Sequence, residues 1–121
     1  MGPGSDASDN KSTGLSIEVN GDGTNAELNV KGENTFNSNG FAGMYTTLSG
    51  VTDSTLEINV ESGATLETCE NDGSYDIGGF VPAGATTKFL GDGYTCDPNR
   101  VEFIVFSGGT VVEPDCQGCP P

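Results

Sequence analysis

Apolar residues in this chain come in short alternating runs, not in helical stripes. Ala26-Glu27-Leu28-Asn29-Val30 and Leu56-Glu57-Ile58-Asn59-Val60 both read apolar, polar, apolar, polar, apolar. That period of two turns one face of a strand inward and the other to water. A second set of strands is expected through Thr35-Phe36-Asn37 and Thr65-Leu66-Glu67. A third is expected through Met44 to Leu48, Tyr75 to Ile77 and Val101 to Phe106. Gly-Asp-Gly-Thr, Gly-Glu-Asn-Thr and Ser-Asn-Gly separate the runs, and glycine and asparagine tolerate the positive φ that tight bends need.

The runs recur at an interval of thirty residues. Val30, Val60 and Leu90 align, as do Thr35, Thr65 and Thr95, then Phe36, Leu66 and Cys96; Leu28 falls on Ile58, and Tyr45 on Tyr75 and Val105. Leu15 and Ile17 fall on Tyr45 and Thr47, so the pattern is entered part-way through a turn. A repeat of this length marks a solenoid, propeller or array, and the absence of helical stripes leaves a parallel β-helix. We expect an all-β fold, a short right-handed parallel β-helix of about three 30-residue coils, with three strands per coil. The alternative is an antiparallel β-sandwich, which short strands and similar turn spacing also build. Residues 1–14 are assigned to a cloning remnant, MGPGS, and a polar leader, 15–106 to the coils, and 107–121 to a cysteine-containing cap. The expected stacked core is Leu28, Val30, Phe36, Ile58, Val60, Leu66 and Leu90.

Stacking carries expectations for the outward residues. Lys31 lies over Glu61, a favourable pair, and Asn29 over Asn59, an amide pair. Glu27 lies over Glu57, a like-charge contact that costs unless it is screened or bridged by a cation. The final strand, Val101 to Phe106, is apolar on both faces, so Ser107 to Pro121 is expected to fold back over it.

Composition narrows the setting. Of 121 residues, 33% are hydrophobic, and 18 acidic side chains against four basic ones give a net charge of −14. Such a surface repels nucleic acid and anionic membranes, and no apolar run approaches membrane-spanning length. The four cysteines, Cys69, Cys96, Cys116 and Cys119, are read as two disulfides. Zinc would want two spaced pairs or histidines, and there is one CxxC and no histidine. Disulfides imply an oxidising compartment, though four cysteines allow three connectivities.

Around those residues a resemblance can be stated. GATLETCENDGSYDI, KFLGDGYTCD and VVEPDCQGCPP resemble the terminal coils and cysteine-rich ending of secreted right-handed parallel β-helix proteins of diatoms and related algae. More loosely, the chain is similar to the pectin-lyase-like solenoids. The resemblance implies a secreted, extracellular or cell-surface module; it carries no catalytic signature.

Catalysis is not expected. The absence of histidine excludes Ser/His/Asp triads and removes the commonest general base. Cys116-Gln117-Gly118-Cys119 could be a redox dithiol, but two prolines follow where a helix should open, which favours a structural bridge. Calcium is the cofactor considered, with Asp22 and Asp72 in turns and the stacked strand pair Glu27 and Glu57 as candidate oxygen ligands; none falls in an EF-hand loop. Thr35, Thr65 and Thr95 would form a threonine column like those of ice-binding solenoids, although threonine also simply starts a strand well. The expected function is a non-catalytic structural or adhesive module of a cell surface or matrix, with an extracellular glycan or a second copy as partner. A carbohydrate-binding or carbohydrate-processing module is the alternative.

Overall fold

The computed structural model describes residues 13–20, 23–49, 53–69, 71 and 75–119. Eleven strands follow in the order β1 (Thr13–Asn20), β2 (Asn25–Val30), β3 (Glu33–Thr35), β4 (Ala42–Ser49), β5 (Thr55–Val60), β6 (Thr65–Glu67), β7 (Tyr75–Val81), β8 (Thr86–Leu90), β9 (Tyr94–Thr95), β10 (Val101–Val105) and β11 (Thr110–Val112). A 3-10 turn, Pro98–Arg100, precedes β10. Every third strand is a neighbour: one face is β1-β4-β7-β10, the second β2-β5-β8-β11 and the third β3-β6-β9. All the strand pairings are parallel. A parallel β-helix is the fold, with β2–β4, β5–β7 and β8–β10 as its three coils. The antiparallel sandwich is excluded.

The core runs along the axis of the coils. Val30, Met44, Leu48, Ile58, Leu66, Ile77, Val81 and Tyr94 are fully buried, each inward and placed over or under its counterpart one coil away. Burying a side chain of this size contributes about 1.5–3 kcal/mol. Strand alternation explains the selection: in β5, Leu56, Ile58 and Val60 are buried, while Thr55, Glu57 and Asn59 are half-exposed.

The interval of thirty holds only where bends have equal length. It is kept between β2 and β5, so Leu28 stacks on Ile58 and Val30 on Val60. It becomes 31 between β5 and β8, where Ile58 registers with Phe89 and Asn59 with Leu90. Leu90 is therefore not in the stacked core: it points outward, and Phe89, 3% exposed, takes the inward place. On the third face Thr35 registers with Glu67, and Glu67 with Thr95. No threonine column exists, and Phe36, Leu66 and Cys96 are not one column either, although Phe36 and Leu66 are both core residues. On the first face Tyr45 registers with Gly78, and Leu15 and Ile17 with Met44 and Thr46.

The third coil winds tighter than the others, and two glycines allow it. Gly91, at φ +94°, packs against the Val60 carbonyl, and Gly93 against the Ala64 carbonyl, so closely that neither has room for a Cβ. Below, asparagines close the bends: buried Asn34 donates through Nδ2 to the Lys31 carbonyl at 2.8 Å, and Asn37 Oδ1 accepts from the Cys69 N–H at 2.7 Å.

The tail does something other than cover β10. β11 pairs with β8 on the second face, and Cys116 bridges to Tyr94 on the third. Disulfides Cys69–Cys119 and Cys96–Cys116 tie it there. The tail thus begins a fourth coil on two faces, and β10 is left as the end strand of the first. The leader boundary also moves, since β1 begins at Thr13 and not after residue 14.

Candidate functional site

Three surface features merit comparison, beginning with the acidic column of the second face. Glu27 registers with Glu57, as the repeat requires, and Glu57 with Lys88. A hollow of about 180 Å³ is lined by Asn25, Ala26, Glu27, Thr55 and Glu57. Two carboxylates followed by an ammonium group are poor company for calcium, which takes six to eight oxygens. Asp22 and Asp72 lie outside the described residues. Among the described residues no three Asp, Glu or Cys side chains converge as a metal-binding group. The neighbouring outward pairs follow the sequence: Lys31 and Glu61 stand 4.0 Å apart, and the Asn59 amide donates to Asn29 Oδ1 at 3.4 Å. Both are exposed enough to contribute less than about 1 kcal/mol.

The second feature is aromatic and was not legible in advance. Phe41, just before β4, meets Tyr45 of β4 at 5.2 Å between ring centroids and Tyr75 of β7 at 5.6 Å. Tyr45 and Tyr75 are 6.2 Å apart. Sequence alignment put Tyr45 over Tyr75, whereas the strands offset them by three positions and the rings converge across Gly78. A Cβ on Gly78 would approach the Tyr75 ring to 2.9 Å. Burial, and secondarily the neighbouring Tyr75, raise the Tyr45 phenol above its usual pKa. Phe41 keeps 37% of its surface exposed.

The third is the upper end of the stack. β10 bonds to β7 on one side, with the Phe106 N–H donating to the Val81 carbonyl at 3.0 Å. Because successive residues of a strand point their backbone groups to opposite sides, Phe103 and Val105 turn theirs to the open side, where no described strand lies. Ile104, Val105 and Phe106 are 48%, 40% and 49% exposed. Phe106 rests edge-on against Phe80 at 5.0 Å, and Phe103 packs tilted against Phe89 at 5.5 Å.

What fixes this end is a polar knot. Asp76 of β7, its side chain only 1% exposed, faces Arg100 Nε at 3.5 Å and accepts from the Asp97 N–H at 2.9 Å and from Asn71 Nδ2 at 3.3 Å. Arg100 also donates to the Asn71 carbonyl. The Cys119 sulfur lies 3.8 Å from Asp76 Oδ2, so the second coil, the 3-10 turn and the tail meet at one carboxylate. Asp76 is buried while the Arg100 side chain is 36% exposed, so removing Arg100 leaves a buried carboxylate without its countercharge. Gly43 is the matching gap: a Cβ there would lie 2.8 Å from both Asn71 Nδ2 and the Asp76 carbonyl. Sequence reasoning missed the knot; the only signal was that Arg100 is the sole arginine.

These features define a parallel β-helix with one unsealed end and an aromatic patch on the same face. Comparison with protein-family models, curated proteins and solved structures finds no match in any of the three. Two disulfides fit an oxidising environment of the extracellular type. Among the described residues no helix is long and apolar enough to cross a membrane.

Proposed function

We propose that this chain is a non-catalytic structural or adhesive module, secreted and held at a cell surface or in an extracellular matrix. The observation that supports this reading best is the open side of β10, with Ile104, Val105 and Phe106 exposed on a rod tied by two disulfides. Exposed apolar edge strands recruit other chains, and proteins that stay apart blunt them. The strong negative charge agrees with a role in which solubility is kept until a specific contact is made. The motif resemblance to secreted algal β-helix proteins supports the same setting.

The Phe41, Tyr45 and Tyr75 cluster favours a second reading, a carbohydrate-binding module, because aromatic rings pack against the apolar faces of sugars. One experiment separates the two. The chain is secreted from a eukaryotic host, and its retention in the insoluble matrix is measured with and without a panel of soluble neutral and acidic glycans. Release of reducing ends from the panel is followed in parallel. The structural reading predicts retention that no glycan competes away and no reducing ends. Competition by a glycan, lost on Tyr75→Ala, would move the assignment to the second reading.

A further inference from the structure

At both ends of the first face most inward residues are only partly covered, the exception being Val19 of β1, which is 5% exposed. In the middle coils the inward residues Met44, Leu48, Ile58 and Ile77 are fully buried. Their counterparts in β1 and β10, Leu15 and Ile17 below and Val101 and Phe103 above, pack on the core but are only partly covered, and Val105 is 40% exposed. On the first face the columns read Leu15, Met44, Ile77, Val101 and Ile17, Thr46, Gly79, Phe103. Val19 stacks on Leu48, and Val105 on Val81.

We propose that a second copy of this chain docks head to tail, laying its β1 along the open side of β10. This rests on the structural-module reading and names its partner. The two sides of a parallel strand are not equivalent: throughout this face the upper side of one strand pairs with the lower side of the next. β10 has no described strand on its upper side, and β1 is the strand of the same face with no described strand below it.

The columns select a register. Placing Leu15, Ile17 and Val19 of the second copy on Val101, Phe103 and Val105 continues all three inward rows without a break. The outward neighbours in that register are Ser16 on Glu102 and Glu18 on Ile104, so no carboxylate meets a carboxylate, unlike Glu27 on Glu57. The winding also matches. Strands visit the three faces in a fixed order, and the topmost described pairing, Cys116 with Tyr94, is on the third face. The next strand in that order belongs on β10; β2 and β3 of the second copy then follow over β11 and Cys116.

Such a contact is heterologous, so it grows beyond a dimer. With a net charge of −14 on each copy, repulsion opposes it and salt screening favours it.

The test is sedimentation velocity of the whole chain from 10 to 500 µM in low and high sodium chloride. Mass is expected to rise past two copies with concentration, and to rise further in high salt. Val105→Lys sets a charge on the contact and is expected to weaken association at least tenfold, with circular dichroism unchanged. A mixture of Ser16→Cys and Glu102→Cys chains, treated with a short bifunctional maleimide, is expected to cross-link between the two variants. A monomer at every concentration would overturn the proposal. So would a species that stops at two copies and cross-links through Ile104→Cys alone, the pattern of antiparallel β10 pairing. If Val105→Lys is monomeric yet retained in the matrix, self-association fails as the means of retention while the structural reading survives. Glycan competition removes that reading independently.

Discussion

Replacing Cys69 and Cys119 together by alanine cuts the link between the second coil and the tail. The cysteines are 50 residues apart, whereas Cys96 and Cys116 are 20 apart. If a disulfide acts mainly by restricting the unfolded chain, its value grows with the logarithm of the closed loop. The expected losses are about 4 kcal/mol for the longer bridge and about 3 kcal/mol for the shorter. Cys69 and Cys96 are both almost fully buried, so the packing lost with their sulfurs is similar and largely cancels in the comparison. Equilibrium unfolding in guanidinium chloride, followed by far-UV circular dichroism at fixed pH, measures both variants against the parent. The longer bridge should cost more by roughly 1 kcal/mol, and each variant should unfold with a steeper denaturant slope than the parent, because its unfolded chain is freer to expand. A reversed order, or a parental midpoint in either variant, would refute loop entropy as what the bridges supply. It would also mean that the tail adds little to the stack it covers.

Other substitutions probe the inner rows. Gly79→Ala would bring a Cβ within 2.7 Å of the Thr46 carbonyl oxygen and 2.9 Å of the Phe103 ring, so we expect a loss of about 1–3 kcal/mol, measured by the same denaturation. Thr87 registers with Leu56 and Val111, and its buried hydroxyl has no hydrogen-bond partner among the described residues; Thr87→Val should raise stability by about 1 kcal/mol. Tyr94 is buried, its hydroxyl donates to the Leu90 carbonyl at 2.8 Å, and burial raises its pKa well above the ordinary 10.0. The unfolded chain gives up this proton near pH 10 while the folded one keeps it. The stabilisation is therefore full below that pH and lost as pH rises from about 10 through the folded pKa. Tyr94→Phe should lower stability by about 1 kcal/mol at neutral pH and flatten the alkaline decline, read from denaturation midpoints between pH 8 and 12; an unchanged slope would count against the burial of this phenol.

How far the sequence carries depends on bend length. Between β2 and β5 the bends are matched, and alternation alone places Leu28 on Ile58, Val30 on Val60, Lys31 by Glu61 and Asn29 by Asn59. Once a bend gains or loses a residue, a strand slips by one and every side chain changes face. That is why Leu90 is outward and Phe89 is inside. On the third face an offset of 32 residues replaces thirty, and Thr65 meets Glu33, not Thr35. The four cysteines point to a stapled ending, but their pairing depends on how far the tail winds, and no strand pattern shows this. The tail itself was misjudged because β10 is apolar on both faces, and apolar faces invite the assumption of a cover. The chain instead continued the coil on the other two faces. Neither the aromatic cluster nor the Asp76–Arg100 knot has a periodic signature, since each joins residues brought together by the slipped register.

The parallel register itself is open to direct measurement by solution NMR of uniformly labelled protein. Cross-strand contacts of Ile58 should reach both Leu28 and Phe89, and those of Met44 both Leu15 and Ile77. Close Hα–Hα contacts between β2 and β5, the mark of an antiparallel pair, would contradict the stack, as would contacts from Ile58 to Leu90 in place of Phe89.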